Sequence, residues 1–303
     1  MKKRGWRRVR TAAKVNLDLR VGARLPDGYH PVETVLQTID LGDDLAVGPA
    51  PQGRLLLEVG GPEAVPAGEE NLVLRAARAL LEAAGRDGRR FRAGLCLRLT
   101  KRVPSGAGLG GGSGDAAATL ILLNRHLRLD LPRRRLLALA RPLGADVPFF
   151  LTGGLARGSG RGDRVRPLAP LPRLPVVVVV PRLRLSTAKV YRRFDEMALT
   201  SAKSGFRMRP RVGGLRRREP VVGLENDLER PVFRRYPALA RVKAEFREAG
   251  ALVAGLSGSG SAVFGVFPEP PSLGGALKEW RRRGWEIHRC HTLDESAYHA
   301  SFR

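Results

Sequence analysis

Only two of the 303 residues are cysteine, Cys96 and Cys290. That is too few for a disulfide framework, and Cys96 falls in the apolar run Leu95-Cys96-Leu97, where a buried thiol is the ordinary outcome. A reducing compartment, the cytoplasm, is therefore expected. No stretch approaches the ~18 uninterrupted apolar residues of a membrane helix, so no membrane partner is expected. The basic opening Met1 to Arg10 has no apolar region or cleavage site after it, which argues against a secretory leader. Aromatic residues make up 6% of the chain and do not interleave with its basic clusters, and zinc-finger spacing is absent.

Acidic residues are scarce as well. Twenty-nine Asp and Glu against 54 Lys and Arg leave a formal net charge of +25. Such a charge favours phosphate through counterion release, yet the excess runs from Arg7 to Arg303 and includes helix-like segments such as Arg133-Arg134-Arg135 and Arg281-Arg282-Arg283. A solvated surface explains it, and no specific nucleic-acid partner is expected. The field should draw anionic small substrates and give nonspecific RNA binding at low salt. With 43% hydrophobic residues, the chain is long enough to bury the core of one large or two medium domains.

Glycine is concentrated instead of scarce in the run Pro104-Ser105-Gly106-Ala107-Gly108-Leu109-Gly110-Gly111-Gly112-Ser113-Gly114. Backbone without Cβ atoms can crowd amides around an anion, and the helix-forming Ala116-Ala117-Ala118-Thr119-Leu120 that follows adds a positive helix end. The run predicts a phosphate cradle. A Walker loop would need Lys then Ser or Thr after its last glycine, and Ser113-Gly114 stands there. Gly106, Gly108 and Gly111 match the dinucleotide fingerprint with Asp130 roughly twenty residues on. That fold needs a second buried strand, however, and Arg128-Leu129-Asp130-Leu131-Pro132 is short and polar. A flexible linker would not sit between a clear strand and a clear helix.

Val15, Leu17, Leu19 and Val21 alternate with Lys14, Asn16, Asp18 and Arg20, the period of a half-buried strand that puts Lys14 and Asn16 on one face. Pro26-Asp27-Gly28 then supplies a turn presenting Tyr29 and His30 before an extended segment near Thr34 to Ile39. A helix is expected from Asn71 to Ala84 on a stripe of Leu72, Ala76, Ala79, Leu80 and Ala83. A strand from Leu95 to Val103 delivers the glycine run, and Ala116, Leu120, Leu123 and Leu127 share a face of the helix after it. A further helix near Leu136 to Leu143 leaves Asp146 before the apolar Val147 to Leu151. The β-branched run Val176 to Val180 reads as a central strand opening the second half. Ala202 to Arg218 reads as a mobile loop, and helices are expected near Pro237 to Ala249 and Leu273 to Arg283. His288, Cys290 and His291 lie close together without zinc spacing, so incidental placement is the expectation. Trp280 and Trp285 read as packing residues.

Ala13-Lys14-Val15-Asn16-Leu17, Asp27-Gly28-Tyr29-His30, the glycine run and Gly144-Ala145-Asp146-Val147-Pro148 occur in an order that resembles the GHMP kinases. The likeness continues through Ser186-Thr187, Glu225-Asn226-Asp227-Leu228-Glu229 and Gly255 to Gly260. The Asp-Gly-Tyr-His turn and the Gly-Ala-Asp-Val-Pro segment narrow it to the branch acting on a diphosphocytidyl sugar alcohol. The resemblance implies an α/β fold of α+β type in two lobes, residues 1–166 and 167–303. The first would be like the second domain of ribosomal protein S5 and the second ferredoxin-like.

The implied reaction is ATP-dependent phosphorylation of the 2-hydroxyl of diphosphocytidyl methylerythritol, on the non-mevalonate route to isoprenoid precursors. Asp146 would be the base and Lys14 its partner, with Pro104 to Gly114 on ATP and Mg2+ as companion ion. Asn16, Tyr29, His30 and Thr187 would contact substrate, Tyr29 stacking on cytosine and His30 reading its edge. A monomer or weak homodimer is expected. The family usually carries two serines after the glycines, whereas Gly114 follows Ser113 here, so a second hydroxyl is missing and the metal ligands stay unassigned. Two other readings remain: a homoserine or mevalonate type of GHMP kinase, and a catalytically impaired basic RNA-binding relative.

Overall fold

The computed structural model describes residues 5–85, 94–198 and 212–302. In the first half the chain runs β1 (Arg7–Arg10), β2 (Ala13–Val21), β3 (Val32–Ile39), β4 (Asp44–Ala50), β5 (Leu55–Gly60), α1 (Leu72–Gly85) and β6 (Gly94–Thr100). It continues through α2 (Gly111–Leu127), α3 (Arg133–Ala140), a 3₁₀ turn at Arg141–Leu143, α4 (Val147–Phe150), β7 (Leu155–Ser159) and β8 (Arg164–Pro167). The second half holds β9 (Pro175–Val180), α5 (Thr187–Ala198), α6 (Gly213–Arg216), α7 (Glu229–Arg235) and α8 (Pro237–Glu248). It ends with β10 (Val253–Leu256), β11 (Val263–Val266), α9 (Gly274–Arg282), β12 (Glu286–His291) and α10 (Glu295–Ala300).

These strands form three four-stranded sheets. The first has the order β1-β4-β6-β5, with β5 parallel to β6, and α1 and α2 pack on it through Val73, Ala76, Ala77 and Leu80 and through Ala116, Ala117, Leu120 and Leu123. The α1 stripe is therefore rotated from the expected one, and Ala79 and Ala83 are only half-buried. Paired alanines let α2 approach while Val73 and Leu80 fill the space beside them. The second sheet is β2-β3-β7-β8, antiparallel throughout. The third is β10-β11-β9-β12, also antiparallel, with helices after β9 and before β12 in the βαββαβ order of a ferredoxin-like lobe.

The valine run of β9 explains how the halves join. Val176, Val178 and Val180 enter one core with Val15, Leu17, Val35 and Ile39, while Val177 and Val179 enter another with Phe246, Trp280 and Val242. A strand buried on both faces reads as an unbroken apolar run, and each Val so removed from water contributes roughly 1.5 kcal/mol or more. Strand β2 was expected to be half-buried, but Lys14, Asn16 and Asp18 are all 5% exposed or less. The second half covers its polar face: Leu19 bridges Asn226 in parallel, and Ile39 bridges Thr292. The register of β2 against β3 also shifts between Asn16 and Asp18, a bulge that re-aims the side chains of the strand.

Other boundaries moved for local reasons. Helix α3 starts three residues before Leu136 and gives way at Arg141 to the 3₁₀ turn, since Pro142 has no amide for a helical bond. Strand β6 stops at Thr100 because Lys101 turns its ammonium inward to Asp43 and Asp115. Of the expected loop at 202–218, residues 202–211 lie outside the described ones, and Gly213–Arg216 is a helical turn with Leu215 buried. Trp280 is 2% exposed and donates to Glu245 Oε2 at 3.0 Å, as packing residues do.

Candidate active site at the junction of the lobes

The glycine loop joins β6 to α2. Gly110 occupies the position before the helix at φ 70, a left-handed conformation, and no side chain caps α2, so its first-turn amides are left to serve an anion. The loop is held from the second half. Ser257 Oγ donates to the Gly108 carbonyl at 2.8 Å and the Ala262 amide to the Ala107 carbonyl at 3.0 Å. Gly108 has φ +80, and a Cβ there would lie 2.0 Å from the Ser257 carbonyl oxygen, so this approach requires glycine. Gly114 has a packing reason too. A Cβ on it would stand 2.4 Å from the Ala12 carbonyl oxygen, in the link between β1 and β2.

Beneath the loop lies a buried ionic cluster that sequence reasoning missed. Lys101 donates to Asp43 Oδ2 and, at 2.8 Å, to Asp115 Oδ2 on α2. Thr11 donates to Asp115 Oδ1 at 3.1 Å and accepts from the Asp43 amide at 2.9 Å. Asp43 Oδ1 also accepts from the Val103 amide at 2.8 Å. Burial pushes the Asp115 carboxyl up, to about 7; Lys101 opposes that rise and the Asp43 charge adds to it. The neighbouring carboxylates raise the Lys101 ammonium against the opposing effect of burial. Lys101 and Asp115 flank the glycine run in sequence, but nothing there announces Asp43 as the third member.

Lys14 projects from β2 into the junction, 3% exposed, and donates to Asn16 Oδ1 at 2.6 Å. Its ammonium stands 3.6 Å from Asp146 Oδ2, at the start of α4, where the side chain is 34% exposed. Asn16 in turn donates to Thr34 Oγ1 at 2.8 Å, which fixes its amide. Cβ positions built on Gly110 and Gly258 would lie 3.1 Å and 3.3 Å from the Lys14 side chain, so both glycine loops wall it in. Thr187 Oγ1 meets Ser259 Oγ at 2.9 Å and thus joins the second of those loops. Lys14, Asn16, Asp146, Thr187 and the glycine loop therefore converge.

Tyr29 and His30 lie in the turn between β2 and β3. His30 is buried, with Nδ1 2.9 Å from the Gly22 carbonyl and Nε2 3.2 Å from Asp195 Oδ1. Its ring packs 5.3 Å from Tyr191 and 6.2 Å from Phe194, both on α5. Burial, with the Asp146 charge adding, pushes the Tyr191 hydroxyl up to about 12, so Tyr191 remains a donor. Tyr29 is 55% exposed, pinned by its amide on Asp27 Oδ1 at 3.0 Å and by the Arg161 guanidinium 4.0 Å over its ring. Arg161 also donates to Asp27 Oδ2 at 2.8 Å. Among the described residues no hydrogen bond or ring contact joins Tyr29 directly to Lys14 or Asp146; His30 packs on Tyr191, whose hydroxyl feels the Asp146 charge. Tyr191, Phe194, Asp195 and Arg161 were not read from the sequence, and the Tyr–Phe spacing of three on an amphipathic helix was the one available signal.

The histidines and cysteine of β12 separate. Cys290 donates to the Val176 carbonyl inside the core, where burial pushes its thiol up, while His291 lies 3.3 Å from Asp40 and His288 3.4 Å from Glu286. Among the described residues no three His, Cys, Asp or Glu side chains gather in a metal-binding group, and no helix is long and apolar enough to cross a membrane.

Two lobes closing on an uncapped helix, with a glycine loop before it and a Lys–Asp pair beside it, define a small-molecule phosphotransferase. The family model "GHMP kinases N terminal domain" matches residues 71–154, and "GHMP kinases C terminal" matches 216–285. The 4-diphosphocytidyl-2-C-methyl-D-erythritol kinase of Pelotomaculum thermopropionicum is 42% identical over 275 residues, covering 91% of this chain and 94% of that one. The enzyme of the same name from Thermus thermophilus is 42% identical over 276 residues, 89% of this chain and 92% of that one. A crystal structure of 4-(cytidine 5'-diphospho)-2C-methyl-D-erythritol kinase superposes with TM-score 0.76 at 38% identity, covering 94% and 99% of the two chains. A homoserine kinase from Cytophaga hutchinsonii, TM-score 0.66 at 18% identity over 98% of both chains, shares the fold. The chain belongs to the GHMP kinases and, within them, to the 4-diphosphocytidyl-2-C-methyl-D-erythritol kinase family. It is an ATP-dependent kinase with the two-lobed α/β fold of that family.

Proposed function

We propose that the protein transfers the γ-phosphoryl group of ATP to the 2-hydroxyl of 4-diphosphocytidyl-2-C-methyl-D-erythritol. One observation carries this reading: Lys14 and Asp146 stand 3.6 Å apart beside the glycine loop, a cation and a proton acceptor together where the hydroxyl must react. The backbone loop of residues 104–114, through amides it does not use internally, and the N-terminus of α2 cradle the ATP phosphates. Asp146 accepts the proton of the attacking hydroxyl, and the Lys14 ammonium stabilises charge developing on that oxygen. Asn16 holds Lys14 in place. Tyr29 offers its ring to the cytosine, and Asn16, His30 and Thr187 complete the substrate contacts.

The donors present fit Mg2+ held mainly through phosphates and waters. Ser113 is half-buried with its hydroxyl 3.8 Å from a Cβ position on Gly144, and the Asp146 carboxylate is partly open. Mg2+ bound with ATP neutralises phosphate charge during transfer. Gly114 contributes no hydroxyl, so Ser113 alone stands for the usual pair. We further read the protein as cytoplasmic, monomeric or weakly dimeric, and divided into lobes at residues 166 and 167.

Replacing Tyr29 by Ala tests the substrate assignment. Stacking of a base on an aromatic ring contributes about 1–3 kcal/mol, so KM for the diphosphocytidyl substrate should rise by roughly 5- to 150-fold. The KM for ATP should stay put. An unchanged substrate KM would make Tyr29 structural and favour another GHMP-kinase substrate.

A further inference from the structure

The Glu225-Asn226-Asp227 stretch has no role in the chemistry above, yet it ties the two halves together at the catalytic strand. The Leu19 amide donates to the Glu225 carbonyl at 2.8 Å, and the Asp227 amide donates to the Leu19 carbonyl at 2.9 Å. Asn226 therefore sits opposite Leu19 in a parallel bridge, on the strand that carries Lys14 and Asn16. Its side chain is 5% exposed and points the other way, into the loop between β10 and β11.

There the side-chain amide uses both of its donors and one of its two acceptor sites. Nδ2 donates to the Leu256 carbonyl at 2.8 Å and to the Gly258 carbonyl at 2.7 Å, while Oδ1 accepts from the Leu228 amide at 2.9 Å. A flipped amide would set its oxygen against two carbonyls and its nitrogen against an amide, so one orientation alone fits. The loop held in this way touches the chemistry at three points. A Cβ position on Gly258 lies 3.3 Å from Lys14 Nζ and 3.6 Å from Asn16 Oδ1, and Ser257 Oγ holds the Gly108 carbonyl at 2.8 Å. Glu229, paired with Lys243, steadies the loop from behind by accepting the Leu256 amide at 2.9 Å.

We propose that Asn226 is a positioning residue for phosphoryl transfer, holding the Ser257–Gly260 loop as the wall that fixes both the Lys14 ammonium and the phosphate-binding glycine loop. This role presupposes the catalytic part assigned to Lys14 above. Misplacing a catalytic group by about 1 Å costs on the order of 100-fold in rate. The effect should fall on kcat and on the KM for ATP, because the cytidyl end of the substrate lies with Tyr29 and His30.

The test is steady-state kinetics of Asn226→Asp, with thermal denaturation to confirm folding. Aspartate keeps the shape and the acceptor for Leu228 but replaces two donors by an oxygen facing two carbonyls. We expect kcat to fall ~100-fold, with the diphosphocytidyl KM within about two-fold of wild type. Buried against carbonyls, the new carboxyl should retain a proton well above the ordinary carboxylate range and regain one donor. The ratio of wild-type to variant kcat, taken at each pH, should therefore shrink as pH falls. The charges around the position are Arg20 with Asp18, Glu225 and Asp227 on one side and Glu229 with Lys243 on the other, and both enzymes share them.

Asn226→Ser, which retains one donor, should lose less kcat than Asn226→Asp, and it serves alone if the aspartate does not fold. A lowered Tm with kcat and its pH profile unchanged would make Asn226 merely structural and overturn the proposal. Full activity of Lys14→Ala would instead remove the reading on which it stands, whereas an inactive Lys14→Ala beside a fully active Asn226→Asp would sink this inference alone.

Discussion

Giving the chain the second serine usual in its family, by Gly114→Ser, should damage the enzyme. The added Cβ would lie 2.4 Å from the Ala12 carbonyl oxygen and 3.5 Å from Phe150 Cε1. Ala12 cannot retreat cheaply, because the Thr11 amide is bonded to the Asp43 carbonyl at 2.8 Å and the Ala13 amide to the Leu41 carbonyl at 2.6 Å. The start of α2 must move outward instead, and overpacking of a fitted contact costs about 1–3 kcal/mol. At about 2–4 °C per kcal/mol for a protein of moderate size, Tm should drop by several degrees. The movement also pulls Asp115, the next residue, from Lys101 and Thr11, and shifts the glycine loop, so kcat should fall by about ten-fold or more. Calorimetry with a coupled kinase assay checks both numbers, and Gly114→Ala, which adds the same Cβ without the hydroxyl, should fall equally. An unchanged Tm with equal or higher kcat for Gly114→Ser would refute the packing account.

Asp146→Asn should keep ATP affinity, measured by calorimetric titration, and lose about 100-fold or more of kcat, since only the proton acceptor is removed; near wild-type kcat would take the carboxylate out of that role. The buried Asp115 carboxyl makes stability depend on pH. Its folded pKa of about 7 lies above the ordinary 3.8, so the folded protein holds a proton across that window after the unfolded chain has released it. The stability it lends is largest at low pH and is lost as pH rises through about 7. The Tm of wild type minus that of Asp115→Asn should therefore decrease between about pH 4 and 7 and level off above that, and a flat or rising difference across that window would contradict the burial argument.

The motifs that carry chemistry were legible because each is local. Pro104 to Gly114 needs consecutive glycines wherever it sits, and the alternation around Lys14 and Asn16 marks a strand on its own. The valine run of β9 announced burial on both faces by having no polar partner. Gly114 was legible only as a departure; that it fits under the Ala12 carbonyl depends on a contact about a hundred residues back along the chain. The same holds for Asp43 under the loop and for Asp195 beside His30, whose partners are chosen by tertiary packing and leave no periodic trace. The cover over the polar face of β2 comes from Glu225 to Asp227 and from the Ser257–Gly260 loop, so a strand that reads as half-buried is buried at every position but Arg20.

The assignment of substrate meets its most direct test in transfer of labelled phosphoryl from ATP across a panel of alcohols: the diphosphocytidyl methylerythritol, homoserine and mevalonate. The account predicts rapid product formation with the first and background with the other two. Efficient labelling of homoserine or mevalonate, with none of the diphosphocytidyl compound, would contradict it.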